Sequence, residues 1–146
     1  MDSPLYTQSA ALAEANAVGK TIADASASPP TEGAVRLYSS ALVPTVITTQ
    51  AELVAAEVAF TGYPSGGYPL SGFNPAILAT GGGAVIYAQT IPVAYVSGAP
   101  VAVGGYWIED ALGDVRLVYV YSPARNLASS GDGWPVVASL GFGRNA

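Results

Sequence analysis

Glu109-Asp110 is the one adjacent pair of carboxylates in the chain. Two carboxylates about 5–10 Å apart, flanking one bond, can cleave a glycoside. Neighbouring residues on a strand point to opposite faces, however, so this pair cannot share a substrate. A polar entry to a hairpin turn is the simpler reading. Glu109, Asp110, Asp114 and Asp132 together offer oxygen ligands of the kind Ca²⁺ takes. Their spacing lacks the D-x-D-x-D-G loop, and Ser129-Ser-Gly-Asp-Gly133 reads as a turn. Gly81-Gly82-Gly83 could cradle a phosphate only if a helix followed. Ala84-Val-Ile-Tyr87 follows instead, with the β-branched and aromatic character of a strand. The serines have no base. The chain holds no His and no Cys, and its only Lys, Lys20, lies in a helical stretch. That removes His-assisted nucleophiles, thiolates, and His or Cys metal sites. The expectation is a protein that is not an enzyme, with no catalytic residue, no cofactor and no bound metal.

Aromatic side chains are the remaining resource. Tyr63, Tyr68 and Phe73 lie in or beside the turn-rich segment Gly62–Gly72, and Trp134 stands before Pro135. Such rings bury large areas at interfaces and can stack on sugars. They can equally fold back onto their own domain. These four are the candidate interaction residues. Ten acidic residues against five basic ones give a net charge of −5. That balance argues against nucleic-acid binding, which rests on phosphate neutralisation. Between Val58 and Ile108 there is no charged residue at all. A surface without charges is poorly soluble when left wet, which suggests cover by other protein. No apolar run reaches the roughly 18 residues of a membrane span, and no targeting segment is visible.

Several elements must position these groups. Residues 7–25 are Ala-rich, with Leu12, Ala15, Val18 and Ile22 at helical spacing. The stripe is thin, so this helix must dock either on a neighbouring subunit or over an edge of its own sheet. Ser26–Gly33 with Pro29-Pro30 reads as an extended linker, making residues 1–33 an arm and 34–146 the domain. Ala34–Ser39 alternates as a first strand. Thr49-Gln-Ala-Glu52 matches a capping box and starts a short helix. Glu57–Phe60 has the pattern of a strand. Further strands are expected at Ala84–Thr90, Val93–Ser97, Val101–Asp110, Val115–Ser122 and Val136–Gly141. The third and fourth form a hairpin around Gly113, with Trp107 and Tyr119 both buried and the second strand covered on two faces. The fold class expected is mainly β: an antiparallel β-sandwich, jelly-roll or Ig-like, with an N-terminal helical arm.

Four segments carry a resemblance: Val35-Arg-Leu-Tyr-Ser39, Val43-Pro-Thr45, Ala56-Glu-Val-Ala-Phe-Thr-Gly-Tyr63 and Gly104-Gly-Tyr-Trp-Ile-Glu-Asp110. Their order and spacing resemble a family of small virion structural proteins of tailed bacteriophages. The resemblance implies a β-sandwich subunit of the virion, such as a head decoration, minor capsid or tail protein. Its implied partners are copies of itself, with a trimer favoured, and other virion proteins such as major capsid or tail proteins. Neither nucleic acid nor membrane is expected as a partner. The rival expectation is a carbohydrate-binding or host-attachment module of a phage tail or fibre, with Tyr63, Tyr68 and Trp134 as stacking platforms.

Overall fold

A computed structural model describes residues 8–78 and 83–142. The chain runs α1 (Gln8–Ile22), β1 (Gly33–Ser39), α2 (Gln50–Ala55), β2 (Tyr68–Leu70), β3 (Ile77–Leu78), β4 (Ala84–Ala94), β5 (Val101–Glu109), β6 (Val115–Leu127) and β7 (Gly133–Phe142). The strands form two antiparallel sheets, ordered β2-β1-β5-β6 and β3-β4-β7. This is the expected sandwich with an N-terminal helix. Of the Gly81–Gly83 break, only Gly83 lies within the described residues.

Alternation sets the inner faces. On β1, Val35 and Leu37 point inward; on β5, their partners Ile108 and Tyr106 do the same. From the second sheet Ala88, Ile91, Val93, Val136 and Ala138 meet them. β4 carries one extra residue between Tyr87 and Thr90 relative to β7. Without that bulge, Ile86 and Ala88 would face the core and Ile91 and Val93 would face away. β4 runs through the bulge and takes in the expected strand Ala84–Thr90 and the start of the expected strand Val93–Ser97, of which Tyr95–Ser97 lie outside any strand.

α1 is not a free arm. Ala11 and Ala15 are fully buried against Ala84 and Ile86, and Ile22 and Ala23 enter the main core. Small residues let the helix lie close: a Cβ on Gly19 would press on Ile86 and Phe73. Nor is the linker extended. Asp24 and Thr31 exchange backbone hydrogen bonds of 3.0 Å, closing residues 24–31 into a loop that returns the chain to the sheet. The thin apolar stripe is satisfied in cis because it covers the end of the β4–β7 inner face.

The outer face of the first sheet carries a second, smaller core. Tyr38, Trp107 and Leu53 are completely buried there, with α2 as the lid. Thr49 caps α2 as expected, its Oγ1 accepting from the Glu52 N–H at 3.2 Å. Gly105 is required under this cluster. A Cβ there would collide with the Tyr38 hydroxyl and the Tyr119 carbonyl, which are hydrogen-bonded to each other at 2.9 Å.

Three expectations need correction. Glu57–Phe60 is not a strand; it contributes an isolated bridge between Glu57 and Tyr38. β6 is an edge strand, not one covered on both faces. Tyr119 is consequently 49% exposed, whereas Trp107, on the central β5, has no exposed surface.

Candidate functional site

Charge is scarce in this chain, so where it is buried is informative. Arg36, on the outer face of β1, reaches two carboxylates. Its Nε and Nη2 donate to Glu57 at 2.7 and 2.6 Å, a bidentate fork. Its Nη1 donates to both oxygens of Glu109 at 3.2 Å. Glu109 also accepts from the Trp107 indole N–H and from the Gln50 amide, each at 3.0 Å. Glu57 accepts from the Tyr63 hydroxyl at 2.6 Å. The guanidinium lies 5.3 Å from the Trp107 ring centre. Burial opposes ionisation of Glu57, but the Arg36 fork and the Tyr63 hydroxyl outweigh it and hold its pKa below the usual value. Burial and the bond to Glu57 push the Tyr63 phenol far up.

This network consumes the residues that looked most chemical. Glu109 is an ion-pair acceptor. Asp110 accepts from the Leu112 and Asp114 N–H groups at 2.9 Å and from Arg116 Nε at 2.8 Å, so it closes the hairpin turn. Burial works against the Asp110 charge, but these donors overcome it and lower its pKa. Asp132 likewise accepts from the Ala128 and Ser129 N–H groups. Among the described residues no cluster of acidic side chains is arranged to hold a metal ion.

The four interaction candidates separate. Tyr63 is committed to Glu57 and to the Leu37 N–H. Tyr68 is buried in the main core, and its hydroxyl has no hydrogen-bond partner of acceptable geometry, although the Ala94 backbone lies near enough to act on it. Phe73 packs between α1 and β4, forming a bridge to Ala88. These three fold back onto their own domain, Tyr68 fully and Tyr63 and Phe73 in part. Gly67 explains why the loop turns inward. It has φ +87°, and a Cβ there would strike Arg36 and the Val35 carbonyl.

Trp134 is different. It lies on β7 and packs edge-on against Tyr121 of β6, with centroids 5.6 Å apart and its indole N–H donating to the Tyr121 hydroxyl at 2.9 Å. Tyr121 is aimed there by a bulge. Gly105 pairs with Val120 and Val103 with Arg125, so residues 121–124 loop out of register. Tyr119 stacks on Tyr106 at 5.1 Å and meets Tyr121 edge-on at 5.7 Å. Arg125 lies over both Tyr121 and Trp134, at 4.5 and 5.2 Å from the ring centres. The result is a cleft of about 260 Å³ between the edge strands of the two sheets, closed by Pro135, Val137 and Ser139. Burial raises the Tyr106 phenol to about 12. Burial also raises Tyr121, against the pull of Trp134 and Arg125. Sequence reading found Trp134 but not its partners. The signal is the repeated Tyr at positions 119 and 121 on one face of β6.

A third feature is an absence. β3, β4 and β7 contain no Asp, Glu, Lys or Arg. Paired residues of a sheet share a face, so Ile77, Val85, Tyr87, Thr90, Pro92, Pro135 and Val137 all point outward. Tyr87 is 40% exposed and Val137 46%. Separately, Val43, Val46 and Ile47 project from the loop before α2, and Leu112 from the β5–β6 turn. Gln50 ties these two segments together through the Gly113 carbonyl. No helix among the described residues is long and apolar enough to cross a membrane. No family model, curated protein or solved structure matches the chain.

Proposed function

We propose that this chain is a non-enzymatic structural subunit of a tailed-bacteriophage virion, a head decoration or minor capsid protein that acts by assembling with itself and with other virion proteins. The observation that carries this reading is the charge-free outer face of the β3-β4-β7 sheet. Two strands of about ten residues and one short one cover on the order of 400 Å² at ordinary strand spacings. A patch of that size on a monomer is often functional. It is about half of what one partner contributes to a standard interface. Val43, Val46 and Ile47 in the loop before α2 and Leu112 in the β5–β6 turn expose further apolar area.

The resembling segments add support of another kind. Arg36, Glu57, Tyr63, Trp107 and Glu109 come from three of them and meet in one hydrogen-bonded network. A shared pattern that closes on itself in this way reads as the fold's internal lock, not as a reactive centre. Every strongly held carboxylate in it already has a cation or an N–H donor.

Mass measurement under native conditions tests the proposal. At about 10 µM, above the dissociation constant expected of a stable interface, the chain should be oligomeric, with a trimer favoured. Tyr87→Lys and Ile77→Lys place a charge on the outer face without touching the core. Each should disperse the oligomer and leave the circular-dichroism spectrum unchanged. A monomeric wild-type chain, or a charged variant that assembles as well as wild type, would overturn the role of this face.

A further inference from the structure

We propose that the cleft between β6 and β7 binds a terminal acidic sugar, a pyranose ring bearing a carboxylate, with Trp134 and the tyrosines as its stacking wall and Arg125 as its anion contact. The proposal goes beyond assembly, and Pro135 and Val137 belong both to this cleft and to the outer face of the β3-β4-β7 sheet.

The charge in the cleft comes first. Arg36 and Arg116 are both paired with carboxylates. Arg125 has no carboxylate within ion-pair distance among the described residues. It lies over two aromatic rings instead, 4.5 and 5.2 Å from their centres, which position it and leave its charge unneutralised. No Asp or Glu lines the cleft. In a chain of net charge −5 this is a local positive site. A guanidinium can take a carboxylate two-pronged, and Arg125 is exposed, so its N–H groups are available to one.

The walls then select the rest of the ligand. Tyr119 is half exposed, and Tyr121 and Trp134 are partly exposed, so aromatic surface is available beside the guanidinium. The negative face of such a ring attracts the C–H face of a sugar. The tyrosine and Ser139 hydroxyls can exchange hydrogen bonds with sugar hydroxyls. The cleft volume falls just below the roughly 300–1,000 Å³ of drug-sized sites, which suits one ring. A proline-rich peptide also fits aromatic grooves, but its uncharged carbonyls would make no use of the positive charge. Apart from Tyr121 in the β6 bulge, the cleft residues lie on paired strands. The cleft is therefore largely formed before anything binds.

The chain has two Trp residues, and they report separately. Trp134 lies in the cleft, whereas Trp107 is buried on the far face of the first sheet. The test is a titration of the ¹⁵N-labelled chain with D-glucuronate and with N-acetylneuraminate, following the two indole N–H signals. At least one acid should shift the Trp134 signal saturably, with a dissociation constant on the order of 1 mM as befits a monosaccharide. The Trp107 signal should stay in place. Neutral glucose should bind at least about tenfold more weakly, the usual effect of losing a charged hydrogen bond. Arg125→Gln should weaken the acid by a similar factor, and Arg125→Lys by less, because it keeps the charge and loses the fork. Arg125 is exposed, and an unmoved Trp107 signal will show that each variant is folded. No saturable shift by either acid up to about 50 mM, well above that range, overturns the proposal. So does equal binding of glucose, an unchanged affinity in Arg125→Gln, or a Trp134 response to a proline-rich peptide alone.

Discussion

Replacing Arg36 with Met should be the most damaging single charge change in this protein. The substitution keeps the length of the side chain and removes the one cation among the described residues that is paired with Glu57 and Glu109. Seven hydrogen-bonding contacts are anchored on that guanidinium or on the carboxylates it holds together: two from Arg36 to Glu57, two from Arg36 to Glu109, the Trp107 and Gln50 donations to Glu109, and the Tyr63 donation to Glu57. Without Arg36, two carboxylates remain close together in a poorly solvated place. Breaking a fully buried pair costs about 3–5 kcal/mol. Here the Arg36 and Glu57 side chains retain 16% of their exposure, and Glu109 9%, so the lower end applies, about 3 kcal/mol. For a domain of this size that lowers Tm by roughly 6–12 °C.

The pH dependence distinguishes this account from simple loss of packing. In the wild type, the folded pKa of Glu57 lies below its unfolded value. Its contribution is therefore full above the unfolded pKa, about 4.3, and is lost as pH falls through the folded one. In Arg36→Met only the Tyr63 hydroxyl is left to offset burial, the largest influence on Glu57, so the folded pKa rises above the unfolded one. The penalty is then absent at low pH and grows as pH rises through the raised value. The stability gap between the two proteins should be about 3 kcal/mol at pH 7 and should shrink as pH falls through the raised value toward and below the unfolded one, about 4.3. Urea denaturation across pH 3.5–7.5 measures it directly. Arg36→Lys, which keeps the charge and loses the fork, guards against a variant too unstable to study and should lose roughly 1–2 kcal/mol. A gap that does not vary with pH, or one under about 1 kcal/mol at pH 7, would refute an electrostatic lock.

Two further predictions follow from packing. Trp107→Ala empties the centre of the outer-face core and frees a Glu109 lone pair, so it should cost about 3–5 kcal/mol in a denaturation midpoint. Combined with Arg36→Met, its effect should fall short of the sum, because the two residues share Glu109. Deleting residues 1–32 should unfold the domain or strip its cooperative transition, since it exposes Ala84 and Ile86 and removes Ile22 and Ala23 from the main core. A truncated protein with an unchanged thermal transition would restore the reading of this segment as a detachable arm.

The strands were legible where alternation is strict. β1 and the β5–β6 hairpin follow from Val35, Leu37, Tyr106 and Ile108, and α2 from Thr49 and Glu52. Short strands inside punctuated segments were not. β2 holds only Tyr68–Leu70, with Pro69 in its middle, and a two- or three-residue pairing has no period to detect. The Arg36 network was missed for a different reason. Pairing across residues 36, 57 and 109 is set by tertiary placement, and no spacing rule connects them. A hint existed nonetheless: an Arg within an apolar strand of so charge-poor a chain must find partners, or burial would be prohibitive. Tyr119 was misplaced because alternation shows which residues share a face but not whether a strand is central or at an edge. β6 lies at an edge, so its inward face is only half covered. The same fact opens the cleft that holds Trp134.

Edges and faces together narrow how such a subunit can associate. A bare strand edge invites pairing with another chain, and natural sheets blunt it with Pro, charges, bulges or short strands. Each edge here is blunted. β2 is three residues long and contains Pro69, and β3 has two residues. β7 carries Pro135, and β6 carries Arg116, Pro123, Arg125 and the four-residue bulge. Sheet-to-sheet extension between copies is thus disfavoured on all four edges. The outer face of β3-β4-β7 has no comparable guard: no charge of either sign stands on it to discourage contact. A sequence that protects its edges and leaves one face uncharged is suited to packing face-on, with open-ended fibre growth suppressed. Such a contact can close on itself, which is what a symmetric trimer requires.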